Sequence, residues 1–374
     1  MALTNCRLGQ FIELCNDTNA DLSYGIDDVR GVNNLKQLMS TKADLNGRDL
    51  SKFQIVKPGE FVFNHRTSRN GSKFSIAYND GNKPVICTED YVVFKLTEKG
   101  KEKICARWLY IFFNRPEFDR YVITNSWGSS TEFYNWEDIT SVELNLPPLS
   151  IQQKYVDVYN SMFANQQSYE RGLEDLKFTV DTLLDKYKKS ESKVKMANLL
   201  EEIDNRNTDN QFEYACGVNI TKQFMPSVAS SSDLHNYKIV TKNQFVFSGM
   251  QTGRDECIRI ALLTNDKSLI VSPAYTVFKI KSDNVIPEYI QMWFSRSETD
   301  RYGWFLSDSS IRTNLDLECF YGIEIPLPDY SSQMAIVNIY KAYTNRRKIN
   351  EQLKTQIKNI CPILIKGSIE EARK

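Results

Sequence analysis

The most constraining feature of this sequence is that its framework is written twice. Matching segments recur in the same order at offsets of 181 to 186 positions: residues 31–33 with 217–219, 53–63 with 237–247, 91–96 with 275–280, 119–121 with 300–302, and 143–147 with 324–328. Chance matches would not keep one order and a nearly constant spacing. The pattern therefore indicates an internal duplication, and each copy is expected to form its own structural unit.

Both copies predict the same order of elements. Short aromatic and β-branched runs come first, such as Phe61-Val62-Phe63 and the run from Tyr91 to Leu96, and these have the composition and length of strands. A helical stretch is expected near residues 108–121. A last strand then ends at a proline-containing stop, residues 146–148 or 325–328, because proline cannot continue a strand ladder.

After each stop, the spacing of seam residues predicts a long coiled-coil helix. Steps of three and four residues alternate without a break along two series: Tyr155, Tyr159, Met162, Gln166, Tyr169, Leu173, Leu176, Val180, Leu183 and Tyr187, and then Ile336, Ile339, Tyr343, Arg346, Asn350, Leu353, Ile357, Ile360 and Leu364. A heptad seam of this kind needs a partner helix. We expect one intramolecular antiparallel pair rather than two unrelated amphipathic helices, with the polar seam residues fixing its register. About 36 helical residues would span about 54 Å.

Charge and cysteine content narrow the class of protein. The 47 Lys and Arg residues balance 47 Asp and Glu residues, which excludes a polycationic nucleic-acid coat but not a local basic face. Eight scattered cysteines and two histidines argue against a disulfide framework or a metal site. The N-terminus has no signal-peptide pattern and no apolar run is long enough to span a membrane, so a cytoplasmic protein is expected.

Common catalytic motifs are missing from the sequence. No two glycines are spaced as Gly-x-Gly, Gly100-Lys101 lacks the context of a phosphate-binding loop, and no proline follows Asp or Asn. The run from Gly249 to Gly253 carries Gln251 where a nucleophile elbow requires serine. We therefore predict a binding and scaffolding protein with no catalytic residues of its own.

The tandem architecture resembles the specificity subunit of type I restriction-modification systems. The segments that carry the resemblance are residues 146–153 (LPPLSIQQ), 327–333 (LPDYSSQ), 61–63 (FVF), 245–247 (FVF) and 272–278 (SPAYTVF). In that family, each globular unit is a target-recognition domain that reads one half of a split double-stranded DNA site. The helices separate the halves and dock two methyltransferase subunits, which bring S-adenosylmethionine, and restriction subunits with ATP-driven translocation can join. The resemblance implies that this chain binds no cofactor itself.

The expected fold class is therefore α+β. It comprises two pseudo-repeated, sheet-rich target-recognition domains separated by two long antiparallel coiled-coil helices. The predicted boundaries are 1–148 for the first domain, 149–190 for the first helix, 191–329 for the second domain and 330–374 for the second helix.

Candidate DNA contacts follow the repeated strands. Residues 64–73 hold Arg66, Arg69 and Lys73 among Asn, Ser and Thr, a mixture suited to phosphates and base edges. The corresponding run in the second copy offers Gln251 and Arg254, which suit adenine and guanine edges. The resemblance adds Arg312, in a Gly-x-x-Arg-like turn of the family.

Other readings of these features remain. Both loops could be merely solvated, and the basic run Lys186, Lys188, Lys189, Lys193 and Lys195 could be a solvated helix end rather than a surface along DNA. A coiled-coil scaffold with two protein- or carbohydrate-binding sheet domains is the alternative function. An enzyme with composite sites is a third reading.

Overall fold

The computed structural model describes residues 3–33, 35–41, 43–66, 74–128, 132–190, 192–227, 233–308 and 313–374. The chain divides into two units. The first unit consists of Met1–Tyr169 with Ile349–Lys374, and the second of Glu170–Lys348. Each unit therefore holds one sheet-rich region and one end of each long helix.

The first unit is built from short strands, short helices and the start of a long helix. Its elements are β1 (Thr4–Arg7), β2 (Ile12–Cys15), β3 (Arg30–Val32), β4 (Leu38–Ser40), β5 (Gln54–Val56), β6 (Phe61–Asn64), β7 (Ile76–Tyr78), β8 (Val85–Cys87), β9 (Tyr91–Leu96), α1 (Glu98–Lys101), α2 (Ala106–Phe113), α3 (Pro116–Thr124), α4 (Trp136–Thr140), β10 (Glu143–Leu146) and α5 (Leu149–Ser190). The main sheet is antiparallel in the order β2-β9-β6-β7, and smaller sheets pair β1 with β10, β3 with β4 and β5 with β8.

The second unit repeats this design. Its elements are β11 (Lys193–Lys195), α6 (Met196–Leu199), β12 (Leu200–Ile203), β13 (Ala215–Val218), β14 (Phe224–Pro226), β15 (Lys238–Val240), β16 (Phe245–Ser248), α7 (Thr252–Asp255), β17 (Arg259–Leu262), β18 (Leu269–Val271), β19 (Thr276–Ile280), α8 (Pro287–Phe294), α9 (Ser297–Leu306), α10 (Leu317–Gly322), β20 (Glu324–Pro326) and the second long helix α11 (Tyr330–Arg373). One sheet has the order β12-β19-β16-β17, another β14-β13-β18-β15, and β11 pairs with β20.

Strand register confirms the duplication. Phe61 of β6 lies opposite Phe94 of β9, and Phe245 of β16 lies opposite Phe278 of β19. Side chains alternate across a strand. Accordingly, Phe61 and Phe63 pack into the large core with α2, whereas Val62 packs into a smaller core on the other face. Both faces of this strand are buried, which explains its uninterrupted apolar composition.

The helical stretch expected near residues 108–121 is two helices. Arg115 is extended (φ −76°, ψ 140°) and Pro116 begins α3. The residue before a proline is disfavoured in the helical region, so α2 ends and α3 starts in a new direction. The expected helical stretch is therefore confirmed, and it consists of two helices.

In the first unit, the long helices run antiparallel. The ammonium group of Lys154 lies 2.9 Å from the Glu371 carboxylate near one end, and the buried Gln166 Nε2 donates to Asn350 Oδ1 over 2.9 Å near the other. The two polar seam residues thus satisfy each other, as a register-fixing pair must.

In the second unit, the other ends of the two long helices also run antiparallel. Val180 and Leu184 of α5 share one core with Ile336 and Val337 of α11. The Arg346 guanidinium lies so close to Gly172 that a Cβ there would come within 2.5 Å of it. Every residue of both predicted seams is buried or half-buried, so the coiled-coil prediction is confirmed. None of the described helices combines the length and apolar character needed to cross a membrane.

A buried glutamine joins each long helix to its sheet-rich region. Gln152 Oε1 accepts from the Cys105 amide, and its Nε2 donates to the carbonyls of Lys103 and Pro147 at 2.8 and 2.7 Å. Gln333 repeats all three bonds with Ile286, Asn284 and Pro328. The Ser-x-Gln segment after each proline stop therefore anchors the long helix. Its glutamine side chain forms hydrogen bonds with backbone groups that would otherwise be unpaired.

Candidate nucleic-acid interface

The candidate interface in the first unit begins where β6 ends. Of the three cations predicted there, the structure describes Arg66. Arg69 and Lys73 lie outside the described residues, and so does Arg312 of the second copy. Arg66 Nη2 lies 3.0 Å from Asp90 Oδ1, and about a third of the Arg66 side chain is exposed. The Arg66 guanidinium group is thus paired with the Asp90 carboxylate beside the turn.

Three short segments lie side by side at this turn. Arg66 pairs with Phe133, and Phe133 pairs with Trp127. The Tyr134 amide donates to the His65 carbonyl at 2.9 Å, which fastens the turn to the segment that follows α3. Two strand spacings separate the backbones of Arg66 and Trp127 by about 10 Å. The arrangement places a cation and an exposed indole along one edge.

Buried polar atoms without a hydrogen-bond partner gather at the same place. His65 Nε2, Arg66 Nε and the Tyr134 hydroxyl are three of them among the described residues. Burial lowers the pKa of His65 despite the opposing effect of Asp90, which favours the neutral imidazole. Such atoms are uncommon in native proteins, where most buried polar groups pair with protein atoms or ordered water.

In the second unit, the equivalent turn depends on a glycine. The Leu315 amide donates to the Gly249 carbonyl at 2.9 Å, and a Cβ on Gly249 would lie 1.8 Å from the Leu315 carbonyl oxygen. Gln251 adopts a left-handed conformation with φ +61°, and its amide donates to Asn314 Oδ1 at 3.1 Å. The close approach explains why a residue without a side chain stands at position 249.

Arg254 is the most accessible of the described candidate residues. Its side chain is 69% exposed, and its Nε lies 3.8 Å from Asp255, which also pairs with Arg259. An ion pair of this length and exposure contributes little, so it leaves the guanidinium able to reach a ligand. The structure thus places Gln251 and Arg254 together on one short helical turn.

A groove of about 770 Å³ lies in the second unit, and Trp304 of its lining also lies next to Gly253 of the turn. Its lining includes aromatic and cationic side chains: Trp293, Tyr302, Trp304, Phe305, Lys188, Lys193 and Arg301. Glu298 and Glu324 also line it, and Glu298 pairs with Lys188. Two lysines of the predicted basic run, Lys188 and Lys193, therefore line this groove.

Sequence reasoning missed Trp127 and Trp304, which lie beside the two turns. A Cβ on Gly253 would lie 3.2 Å from Trp304 Cδ1, and Trp127 belongs to the edge described above. Tryptophan is highly buried on average, so a single tryptophan in a sequence is read as core. Only the structure shows that these two are exposed.

Replacing Asp90 with asparagine should strengthen DNA binding by this chain. The substitution keeps the size of the side chain and removes the carboxylate that holds Arg66. We expect binding up to about fivefold tighter at low salt, since exposed ion pairs contribute up to about 1 kcal/mol. The slope of log K against log salt should steepen by about one. Titration of a labelled duplex at several salt concentrations would measure both.

Glu89→Gln is the matched control for this experiment. Glu89 neighbours Asp90 but pairs with Arg48 at 3.3 Å, away from the turn. An equal gain in both variants would mean that general charge, not release of Arg66, causes the effect.

Among the described residues, no group of three or more His, Cys, Asp and Glu side chains is arranged to hold a metal ion. The eight cysteines all lie in the described part of the chain and are free thiols.

Comparison with solved structures identifies the fold. The S subunit of a type I restriction-modification system from M. genitalium matches with a TM-score of 0.62 and 11% sequence identity, over 98% of this chain and 96% of that chain. A structure described for complex assembly and conformational transition of the type I R-M system matches at 0.47 and 12%, over 98% and 97%. The HsdS subunit from Thermoanaerobacter tengcongensis matches at 0.39 and 12%, over 98% and 96%.

The comparison with the M. genitalium protein shows the class of architecture: two repeated sheet-rich domains joined to two long helices. This chain has the fold of a type I restriction-modification S subunit, and the fold class predicted from the sequence is confirmed. No family model matches the sequence, and no curated protein is significantly similar to it.

Proposed function

We propose that this chain is the DNA-sequence-specificity subunit of a type I restriction-modification complex, with each unit reading one half of a bipartite site. The pair of turns carries this proposal. Both are fastened by the same backbone bond, Tyr134 to His65 and Leu315 to Gly249, yet their side chains differ. A reader of two unlike half-sites needs a repeated framework with different contact residues, because base contacts specify sequence.

The S-subunit fold supports the remaining roles that we propose. The long helices separate the two reading units and dock two methyltransferase subunits, and a restriction subunit can join the complex. The chain itself is non-catalytic and binds no cofactor. S-adenosylmethionine and ATP belong to the partner subunits, and the complex acts on double-stranded DNA in the cytoplasm.

Methylation of the host genome tests this function. Sequencing of modified bases should reveal a bipartite motif of two short, unlike sequences separated by a fixed number of unspecified positions. Deletion of the gene should abolish methylation at that motif, and reintroduction should restore it. Identical methylation with and without the gene would contradict the proposed function.

A further inference from the structure

The five tryptophans of this chain, all within the described residues, divide into two groups. Trp108 and Trp293 are 0% and 6% exposed, and Trp136 is half-buried. Trp127 and Trp304 are 73% and 49% exposed. Both exposed tryptophans lie beside a candidate reading turn.

In the first unit, Trp127 is connected to the turn through its backbone. Trp127 exchanges two hydrogen bonds with Phe133, at 3.0 Å from its own amide and 2.8 Å to its carbonyl. Phe133 also pairs with Arg66. These bonds fix the position of Trp127 at the edge of the turn while its ring faces solvent.

In the second unit, Trp304 contacts the turn through its side chain. The Trp304 ring lies against Gly253, the residue before Arg254, and it also lines the groove that contains Lys188, Lys193 and Arg301. Trp304 therefore lies next to the turn that carries Arg254, and it lines a groove with three cations and two carboxylates, Glu298 and Glu324. Cations beside an aromatic ring are the combination with which proteins hold a nucleic-acid backbone and stack on its bases.

The two tryptophans do not occupy equivalent positions. The Trp127 amide donates to the Phe133 carbonyl at 3.0 Å, and in the second unit the Asp308 amide donates to the Asn314 carbonyl at 2.9 Å. Asp308 thus takes the place of Trp127, and Ile123 that of Trp304. Two copies of one protein partner, docked alike on both units, would require the same residue at the same place. Unlike DNA half-sites would not, so the arrangement favours DNA over a shared protein partner.

We propose that Trp127 and Trp304 each stack on a base of the half-site read by their own unit and open one base step there. This inference rests on the proposed function. Aromatic and apolar side chains at DNA interfaces insert between base pairs, and the resulting bend brings more DNA against the protein. Each tryptophan is then a specificity-determining residue, because the ease of opening a step depends on its sequence.

The test uses the full chain assembled with its methyltransferase subunits and a duplex of about 40 base pairs that carries the motif found by methylation sequencing. Trp127→Ala and Trp304→Ala should each weaken binding about tenfold, the range expected for loss of one base–aromatic stack. Each should also reduce the DNA bend, measured by energy transfer between dyes on the two ends. Trp127→Phe and Trp304→Phe should retain most of both properties.

Phe178→Ala is the matched control, because Phe178 is 74% exposed on α5 and belongs to neither turn. Unchanged affinity and bend in both alanine variants, with specific binding by the wild type, would overturn the stacking proposal alone. Loss of complex assembly with equal loss of DNA binding would assign the tryptophans to protein contacts and also overturn it. A wild-type complex without sequence-specific binding would overturn the proposed function and, with it, this inference.

Discussion

Replacing Asp119 with alanine should bring the first unit close to unfolding. Asp119 Oδ1 accepts from the Lys36 ammonium group at 2.6 Å and from the Phe74 amide at 3.0 Å, and Lys36 also donates to the Phe113 carbonyl at 2.6 Å. Only about 5% of the Lys36 side chain is exposed. Without the carboxylate, the buried Phe74 amide loses its acceptor, and the buried Lys36 ammonium group keeps the Phe113 carbonyl but loses its counter-charge. Breaking such a pair costs about 3–5 kcal/mol, a large part of the 5–15 kcal/mol typical of a domain.

The same pair occurs in the second unit, which provides an internal replicate. Lys222 contacts Asp300 at 2.6 Å, and the Ile258 amide donates to Asp300 at 3.0 Å. Asp300→Ala should therefore lower the stability of the second unit by a similar amount. Urea unfolding followed by circular dichroism would measure both changes.

Two controls separate charge burial from general disruption. Arg120→Ala alters the exposed neighbour of Asp119 and should change the free energy of unfolding by about 0.5 kcal/mol at most. Lys36→Met combined with Asp119→Leu removes both charges and should recover much of the loss, because replacing a buried pair by apolar groups is often neutral. Wild-type stability of Asp119→Ala would show that the pair does not hold the unit together.

The framework of this protein was predictable because it follows from periodicity. Aromatic and β-branched runs located strands such as Phe61-Val62-Phe63, and the heptad series located both seams. The contact between Gln166 and Asn350 was found only in the structure. These patterns depend on local geometry, namely two residues per strand repeat and about 3.5 per coiled-coil turn. Because the sequence is duplicated, each pattern occurs twice, and each copy supports the prediction made from the other.

Long-range polar contacts were not predictable in the same way. The match of residues 119–121 with 300–302 was visible in the sequence, but nothing in it indicated that Asp119 binds Lys36, 83 positions away. A lysine is usually exposed, so Lys36 reads as surface. The partner of Arg66, Asp90, was missed for the same reason, because the pairing arises only when β9 folds beside β6.

For the second turn, the sequence indicated that the two candidate residues are close together, but it did not indicate which residues surround them. Gln251 and Arg254 do lie together, because Gln251 caps α7 and only Thr252 and Gly253 separate it from Arg254. Trp304 and the groove lysines come from distant segments, and only the fold brings them beside Gly253.

The most direct test of the central claim is the methylation motif of assembled complexes that carry single substitutions in one turn. Arg66→Ala and Arg69→Ala should change only one half of the motif, and Gln251→Ala and Arg254→Ala only the other. A base-reading residue should lose about 1–3 kcal/mol and relax one position, whereas a phosphate-binding residue should weaken all sequences alike and lower the salt slope by about one. We expect at least one base-reading residue in each turn.

Arg48→Ala and Lys242→Ala remove exposed cations that pair with Glu89 and Asp266 away from the turns, and they should leave the motif unchanged. The account predicts that each altered turn affects one half-site. A single substitution that changes both halves of the motif would contradict it.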